Sequence, residues 1–328
     1  MPVRVGFIGT GNQGQAHMKQ FAKLDNCRIA AVYDFNQELA AQTAEQYGAS
    51  VAGSSDELLN PSVIDAVVIS SPQFTRTGLE ETAARRGIHL LAEKPLGLEL
   101  KSVQKNVEII KQSGIINAAG YCLRYLDIAK KAKEYLESRS ANLIQVVRTG
   151  TCLSWPSWMR QQHLSGGNLI AGVTHQVDLV RFLGGEFREV AAMQCDMDGP
   201  GKNPGDTILT SGVISFSMER GGIGTVSETV MSPYHSETTT NFIGHDFFVG
   251  IHNYTLTIID QEQNITIESQ VDMLHEQAKA FTDAIEQGNQ DIVLSSYIDG
   301  FQTLAVTLAA EQSAQQRRNI VLEEFLQQ

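Results

Sequence analysis

No two of the four cysteines form a CxxC pair; Cys27, Cys122, Cys152 and Cys195 stand far apart. That spacing argues against a zinc site or a disulfide framework and for reduced thiols packed as small apolar side chains. Positive charge is also in short supply: 25 Lys and Arg face 37 Asp and Glu, a formal net charge of −12. Phosphate backbones are bound by surplus cations, so nucleic acid is not an expected partner, while a local basic pocket stays open. No apolar run approaches the roughly 20 residues that span a bilayer, and no membrane partner is expected. Residue 1 leads at once into the apolar run 3–8, without the basic stretch and apolar core of a signal peptide, so the expected location is cytoplasmic. His245, His252 and His275 lack metal-ligand spacing with carboxylates or thiols, and no metal is assigned. A Gly-x-Ser-x-Gly nucleophile elbow is missing as well.

What is present is ordinary globular composition, 42% hydrophobic and 19% charged, over 328 residues, a length that predicts two domains. Continuous apolar runs at 3–8, 28–33, 66–70, 89–92 and 116–119 alternate with helical patterns such as 37–47 and 102–113. Ser54 and Glu57 form a capping box for a further short helix. This order predicts a doubly wound parallel sheet covered on both faces. The pattern changes after residue 122. A helical stretch at 126–136 leads to an alternating strand at 143–149, and the glycine-rich segment 165–172 opens a helix running to 183. Alternating runs at 190–196, 208–218, 224–230, 247–250 and 254–259, divided by turns at 199–205 and 219–222, predict a mostly antiparallel sheet with one wet face. Helical patterns at 273–287 and 297–315 close the chain.

The first strand ends in Gly9-Thr10-Gly11-Asn12-Gln13-Gly14, which opens a helix. In this setting GxGxxG is a dinucleotide fingerprint. The first glycine makes the tight turn, the second admits a pyrophosphate to the backbone, and the third lets helix pack on strand. Asp34, at the end of the second strand, is placed to accept hydrogen bonds from the adenosine ribose hydroxyls. Its charge repels a 2′-phosphate and the next residue is Phe35, not Arg, so NAD is favoured over NADP. Arg76 is the basic residue whose folded position bears on that choice. The expected division is therefore a Rossmann domain over 1–122 and an α+β domain with a large open sheet over 123–328.

A second cluster, Glu93-Lys94-Pro95, ends the predicted strand 89–92, where residues of a parallel sheet face the ligand crevice. A lysine there serves as proton donor or acceptor when desolvation and a nearby cation lower its pKa. With Ser71-Pro72-Gln73, Gly120-Tyr-Cys-Leu-Arg124-Tyr125, Trp158-Met-Arg160, the run from Gly166 to Asp178 and Phe281-Thr-Asp-Ala-Ile285, the chain resembles the Gfo/Idh/MocA family of sugar and cyclitol oxidoreductases. The resemblance implies reversible oxidation of a secondary alcohol of a sugar, cyclitol or related polyol in a cleft between the domains. It implies Lys94 and His175 as the acid/base pair and a Lys94–Pro95 peptide that is cis. The cofactor set it implies is Gly9, Thr10, Gly11, Asn12, Gln13, Gly14, Asp34, Ser71, Pro72, Gln73, Glu93, Lys94, Trp158 and Arg160. Expected substrate contacts are Lys94, Arg124, Gln162, His163, Thr174, His175, Tyr234 and His235. Asp178 either orients the site or serves packing. By the same analogy the open sheet forms a homodimer or homotetramer.

One departure affects the chemistry. Family members commonly carry an acid one helical turn before the histidine, where this chain has Ala171, and a glycine where it has Val173. Two alternatives therefore stand beside the dehydrogenase: a redox-neutral glycoside-cleaving or lyase enzyme that uses NAD transiently, and a non-catalytic, NAD-responsive binding protein.

Overall fold

A computed structural model describes residues 1–197, 199 and 202–328, so part of the turn expected at 199–205 lies outside the described residues. The chain forms two compact units, residues 1–125 with 271–301, and residues 126–270 with 302–328. Among the described residues no helix is long and apolar enough to cross a membrane, and no group of three or more His, Cys, Asp or Glu is placed to hold a metal.

The first unit is built on strands β1 (Val3–Ile8), β2 (Cys27–Tyr33), β3 (Ser50–Val51), β4 (Ala66–Ile69), β5 (His89–Ala92) and β6 (Asn117–Ala119). They form one parallel sheet in the order β3-β2-β1-β4-β5-β6. All four residues of β4 are buried, as expected of a strand with helices on both faces. The order reverses between β1 and β4, and this reversal opens the crevice in which doubly wound sheets bind ligands. The helix Gln37–Tyr47 shows how local sequence sets an element's ends. Asn36 caps it by accepting from Leu39 N, and Gly48 stops it in the left-handed conformation at φ 65°. The Ser54 cap is also present, accepting from Glu57 N at 3.1 Å.

A single boundary after residue 122 omits one part of this unit. Segment 271–301 returns to it, and the reason is the bonding demand of β6 at the sheet edge. The Gln290 side chain accepts from Asn117 N at 2.9 Å and donates to Asn117 O at 3.0 Å, as a further strand would. Ser295 takes the same part at Ala119, accepting its N–H at 2.8 Å and donating its hydroxyl to the carbonyl at 2.8 Å. The helix Met273–Gln287, capped by Asp272, buries Ala278, Phe281 and Ala284 in the core of this sheet. Phe281 meets Phe21 edge-on at 6.5 Å, and Phe21 meets Phe7 at 5.5 Å.

The second unit carries β7 (Leu143–Thr149), β8 (Phe187–Cys195), β9 (Ser211–Met218), β10 (Ile223–Thr229), β11 (Glu237–Ile243), β12 (Phe248–His252), β13 (Thr255–Ile259), β14 (Asn264–Glu268) and β15 (Ile320–Val321). Their order is β14-β13-β12-β11-β7-β10-β9-β8-β15. Every pair is antiparallel except β7 with β10. Burial alternates along β9 and β10, so one face is covered and the other is wet. Met193 and Ile223 on that wet face are 75% and 61% exposed. The expected helix after the glycine-rich segment is present as Thr174–Gly184, but residues 168–172 ahead of it form a separate wide turn of π type. Strands β11 and β14 were not expected from the sequence, because ETTTN and NITIE are polar at half or more of their positions.

Phe281→Ala removes a fully buried ring from the contact between the returning segment and β1. Urea unfolding of the variant is expected to show a loss of about 3–5 kcal/mol. A loss below about 1 kcal/mol would mean that segment 271–301 is not part of this core.

Candidate functional site

The fingerprint loop has the geometry its residue types require. Gly9 sits at φ +95°, and a Cβ there would stand 2.7 Å from Ser71 N. At Gly14 a Cβ would fall 2.1 Å from Gly9 O, so the close packing of helix on strand admits only glycine. Gly11, by contrast, has nothing within 4 Å of its Cβ position, and it caps the helix Asn12–Phe21, whose first turn holds no acid. The result is an open cradle at the positive end of a helix, suited to a pyrophosphate. Asn12 and Gln13 lie exposed in that first turn.

Asp34 is at the mouth of the same loop. Its Oδ2 accepts from Thr10 N at 2.7 Å and Thr10 Oγ1 at 3.1 Å, and its Oδ1 accepts from Asn36 N at 2.9 Å. A carboxylate has about four acceptor positions, so capacity remains for ribose hydroxyls. Phe35 beside it is 73% exposed. At the end of β4, Ser71 is buried and its hydroxyl has no hydrogen-bond partner among the described residues. Open cradle, anchored acid and orphaned hydroxyl together fit a dinucleotide.

Glu93, an expected cofactor contact, is held by neighbouring side chains. It is 5% exposed, and its carboxylate turns toward the helix Asn12–Phe21. Oε1 lies 2.7 Å from His17 Nε2 and accepts from Gln13 Nε2 at 2.9 Å, while Oε2 accepts from Lys94 N at 3.1 Å. Gly120 leaves the room, since a Cβ there would stand 2.8 Å from this carboxyl. His17 is the residue sequence reading missed. Its signal was the helical spacing from Gln13, which puts both side chains on one face. His17 Nδ1 is buried without a hydrogen-bond partner among the described residues, so Nε2 is the ring nitrogen that meets Glu93. Lys94 follows on the cis peptide to Pro95, half-buried at the end of β5.

Arg76 is 4% exposed and binds backbone carbonyls. Its Nε donates to Ser71 O at 2.7 Å, and Nη1 donates to Glu93 O and more weakly to Pro95 O at 3.4 Å. It therefore ties the ends of β4 and β5 together and leaves the choice of NAD over NADP to Asp34. Glu80, fully buried near Arg76, is pushed up to about 6 by burial, which outweighs the guanidinium's opposing pull. Arg124, an expected substrate contact, is likewise a clamp: it is 4% exposed, donating to Leu294 O at 2.9 Å and pairing with Asp299 at 2.6 Å.

In the second unit, His175 is half-buried in the first turn of the helix Thr174–Gly184. Thr174, an expected substrate contact, is fully buried. Asp178 accepts from Thr303 Oγ1 at 2.8 Å, and Arg181 donates to the same hydroxyl at 2.8 Å. Arg160 pairs with Asp206 at 2.9 Å and donates to Trp155 O, with Trp158 half-buried on the same turn. Gln162 folds its amide over Gly167 and accepts from Leu209 N at 3.4 Å, beside an exposed His163. Tyr234 is 97% exposed, and His235 bonds Glu237 at 2.9 Å on the same surface loop.

Two family models match the chain. One describes an oxidoreductase family with an NAD-binding Rossmann fold and covers residues 3–121, and the other is the C-terminal domain of the same family and covers 130–246. The chain belongs to the Gfo/Idh/MocA family. The dinucleotide of its first unit is NAD. Among relatives of this Gfo/Idh/MocA protein, a myo-inositol 2-dehydrogenase from Thermotoga maritima is 24% identical, with 99% of this chain and 100% of that enzyme matched. A 2,7-anhydro-N-acetylneuraminate hydratase from Escherichia coli is 25% identical over 63% of this chain and 57% of its own length. Among solved structures, levoglucosan dehydrogenase in complex with NADH shares the fold at TM-score 0.89 and 20% identity, covering 98% of this chain and 99% of that one.

Asp34→Ala is expected to weaken NAD binding about 10–100-fold by fluorescence titration and to narrow the gap to NADP. An unchanged ratio of the two affinities would remove Asp34 from cofactor selection. Glu80 gives a pH prediction. Folding raises its pKa above the unfolded value, so its protonated form is favoured in the folded state. Stability should then fall as pH rises from about 4.5 through 6, by about 2 kcal/mol in all. Glu80→Gln should abolish that slope in urea titrations, and a slope that persists would assign it elsewhere.

Proposed function

We propose that this protein is an NAD-dependent dehydrogenase that oxidises a secondary alcohol of a sugar, cyclitol or related polyol. The observation that carries the reading is Lys94, held by its backbone N–H to Glu93 at the carboxyl end of β5, the strand that Arg76 ties to the end of β4 at Ser71. The end-to-end match with a myo-inositol dehydrogenase supports the substrate class.

In this reading Lys94 and His175 handle the hydroxyl proton. As the carbinol C–H bond breaks, the O–H proton passes to one of these side chains and a carbonyl forms. NAD, when bound, supplies the hydride acceptor. Two groups are needed because the oxygen must be both oriented and deprotonated, and Lys and His together cover donation and acceptance near neutral pH. Trp158 and Arg160 serve the nicotinamide side, and Gln162, His163, Tyr234 and His235 supply polar contacts to the substrate. The wet face of the nine-stranded sheet, with Met193 and Ile223 exposed, is the surface through which two copies associate.

The presence of a hydratase among the relatives, and of Ala171 in place of an acid, favours one second reading, redox-neutral chemistry with bound NAD. A panel of inositols, aldoses, amino sugars and sugar acids with NAD separates the two. A dehydrogenase accumulates NADH with at least one of them. Lys94→Ala should lower kcat at least about 10²-fold while NAD affinity stays within about threefold. Consumption of a sugar without NADH would establish the redox-neutral reading, and binding without turnover a sensing role.

A further inference from the structure

Ala171 leaves the turn 168–172 without an acid of its own, yet the fold delivers a carboxylate to it. Glu228 lies on the covered face of β10 and its side chain is fully buried. Its carboxylate packs on Gly172, where a Cβ would stand 2.6 Å from each oxygen. Only glycine at 172 leaves that space. Arg148, directly across on β7, pairs with Glu228 Oε1. The guanidinium side chain keeps 24% of its exposure and the carboxylate none, so the pair presents its negative end to the turn.

His175 stands in the first turn of the helix Thr174–Gly184, which contains no acid. The positive end of a helix opposes protonation of an imidazole placed there. A carboxylate packed on the adjoining turn counters that field and favours the imidazolium. We propose that Glu228 is a positioning residue for His175, a carboxylate brought by β10 to the turn in place of the acid missing at Ala171. The inference rests on the reading of His175 as proton acceptor in the dehydrogenase.

Arg148 faces Glu228 from β7. Asp178 and Arg181, on the histidine's own helix, are tied to Thr303 and Glu186. Lys133, from the helix Asp127–Leu136, lies over the Phe182 ring at 5.4 Å, and His163 precedes the turn on the exposed side. Strand β9, which also packs on the turn, carries no charge.

The test is Glu228→Gln, which keeps shape and a hydrogen-bond acceptor for Arg148 while removing the charge. In full-length protein with isotope-labelled histidine, assigned by the loss of one resonance in His175→Gln, the His175 titration should move down by about one pH unit. Polyol oxidation should fall about tenfold in kcat with the KM for NAD unchanged. Ala171→Asp added to Glu228→Gln should restore both the titration and kcat. An unmoved His175 titration overturns the proposal, as does a kcat loss that Ala171→Asp leaves in place. If the titration moves and is restored while wild-type protein oxidises no polyol, the dehydrogenase reading fails and the role of Glu228 toward His175 stands.

Discussion

The buried carboxylate of Glu93 is the joint on which the first unit's chemistry hangs. It takes hydrogen bonds from Gln13 and His17 on the phosphate-facing helix and from the backbone of Lys94 just beyond β5. A buried carboxylate without such donors costs several kcal/mol, so the bonds are as much a requirement of burial as a gain in stability. Because all three come from elements that flank the cofactor cradle, satisfying the charge also fixes those elements against one another. Gly120 belongs to the same constraint, since any side chain there would occupy the carboxylate's place.

Arg76 applies the same logic with opposite sign. Its guanidinium is desolvated, and burial lowers its pKa against the pull of Glu80 and Glu93. The carbonyls of Ser71, Glu93 and Pro95 accept its protons at the points where β4 and β5 end. Strand ends in a parallel sheet leave backbone carbonyls without ladder partners, and a planar donor with several N–H groups meets three of them at once. The crevice is thus lined by backbone whose hydrogen bonds are already made, a condition for holding a ligand in one position.

Local chemistry was legible in the sequence and long-range chemistry was not. The glycine fingerprint, Asp34, five of the six strands of the first sheet and the cap at Ser54 depend on neighbours within a turn or a strand, and their residue types say so. The motif Glu93-Lys94-Pro95 was visible too, but the direction of Glu93 was not, because its partners His17 and Gly120 come from other elements. Residues 271–301 join the first unit through Gln290 and Ser295, polar side chains that replace a missing strand. Nothing in a glutamine and a serine announces that use. Strand β11 was hidden for a related reason: five of its residues, Glu237 to Asn241, are polar, and it is a strand because β7 and β12 pair with it on both sides.

Both units place a helix N-terminus at a candidate site, and the treatment of their fields differs. In the first unit the helix Asn12–Phe21 begins with no acid in its first turn and with open space at Gly11, so its positive end is left for a phosphate. In the second the helix Thr174–Gly184 also begins without an acid, but the adjoining turn is closed by Glu228 against Gly172. An unopposed field suits a ligand that is always anionic. It does not suit an imidazole that must gain and lose a proton, whose charged form the same field would destabilise. A carboxylate paired with Arg148 and packed on the turn is the arrangement that would reconcile a helix start with the proton acceptor proposed at His175. The substitution of alanine at 171 is therefore compatible with acid/base chemistry at His175, because position along the chain and position in the fold are different constraints on where a charge comes from.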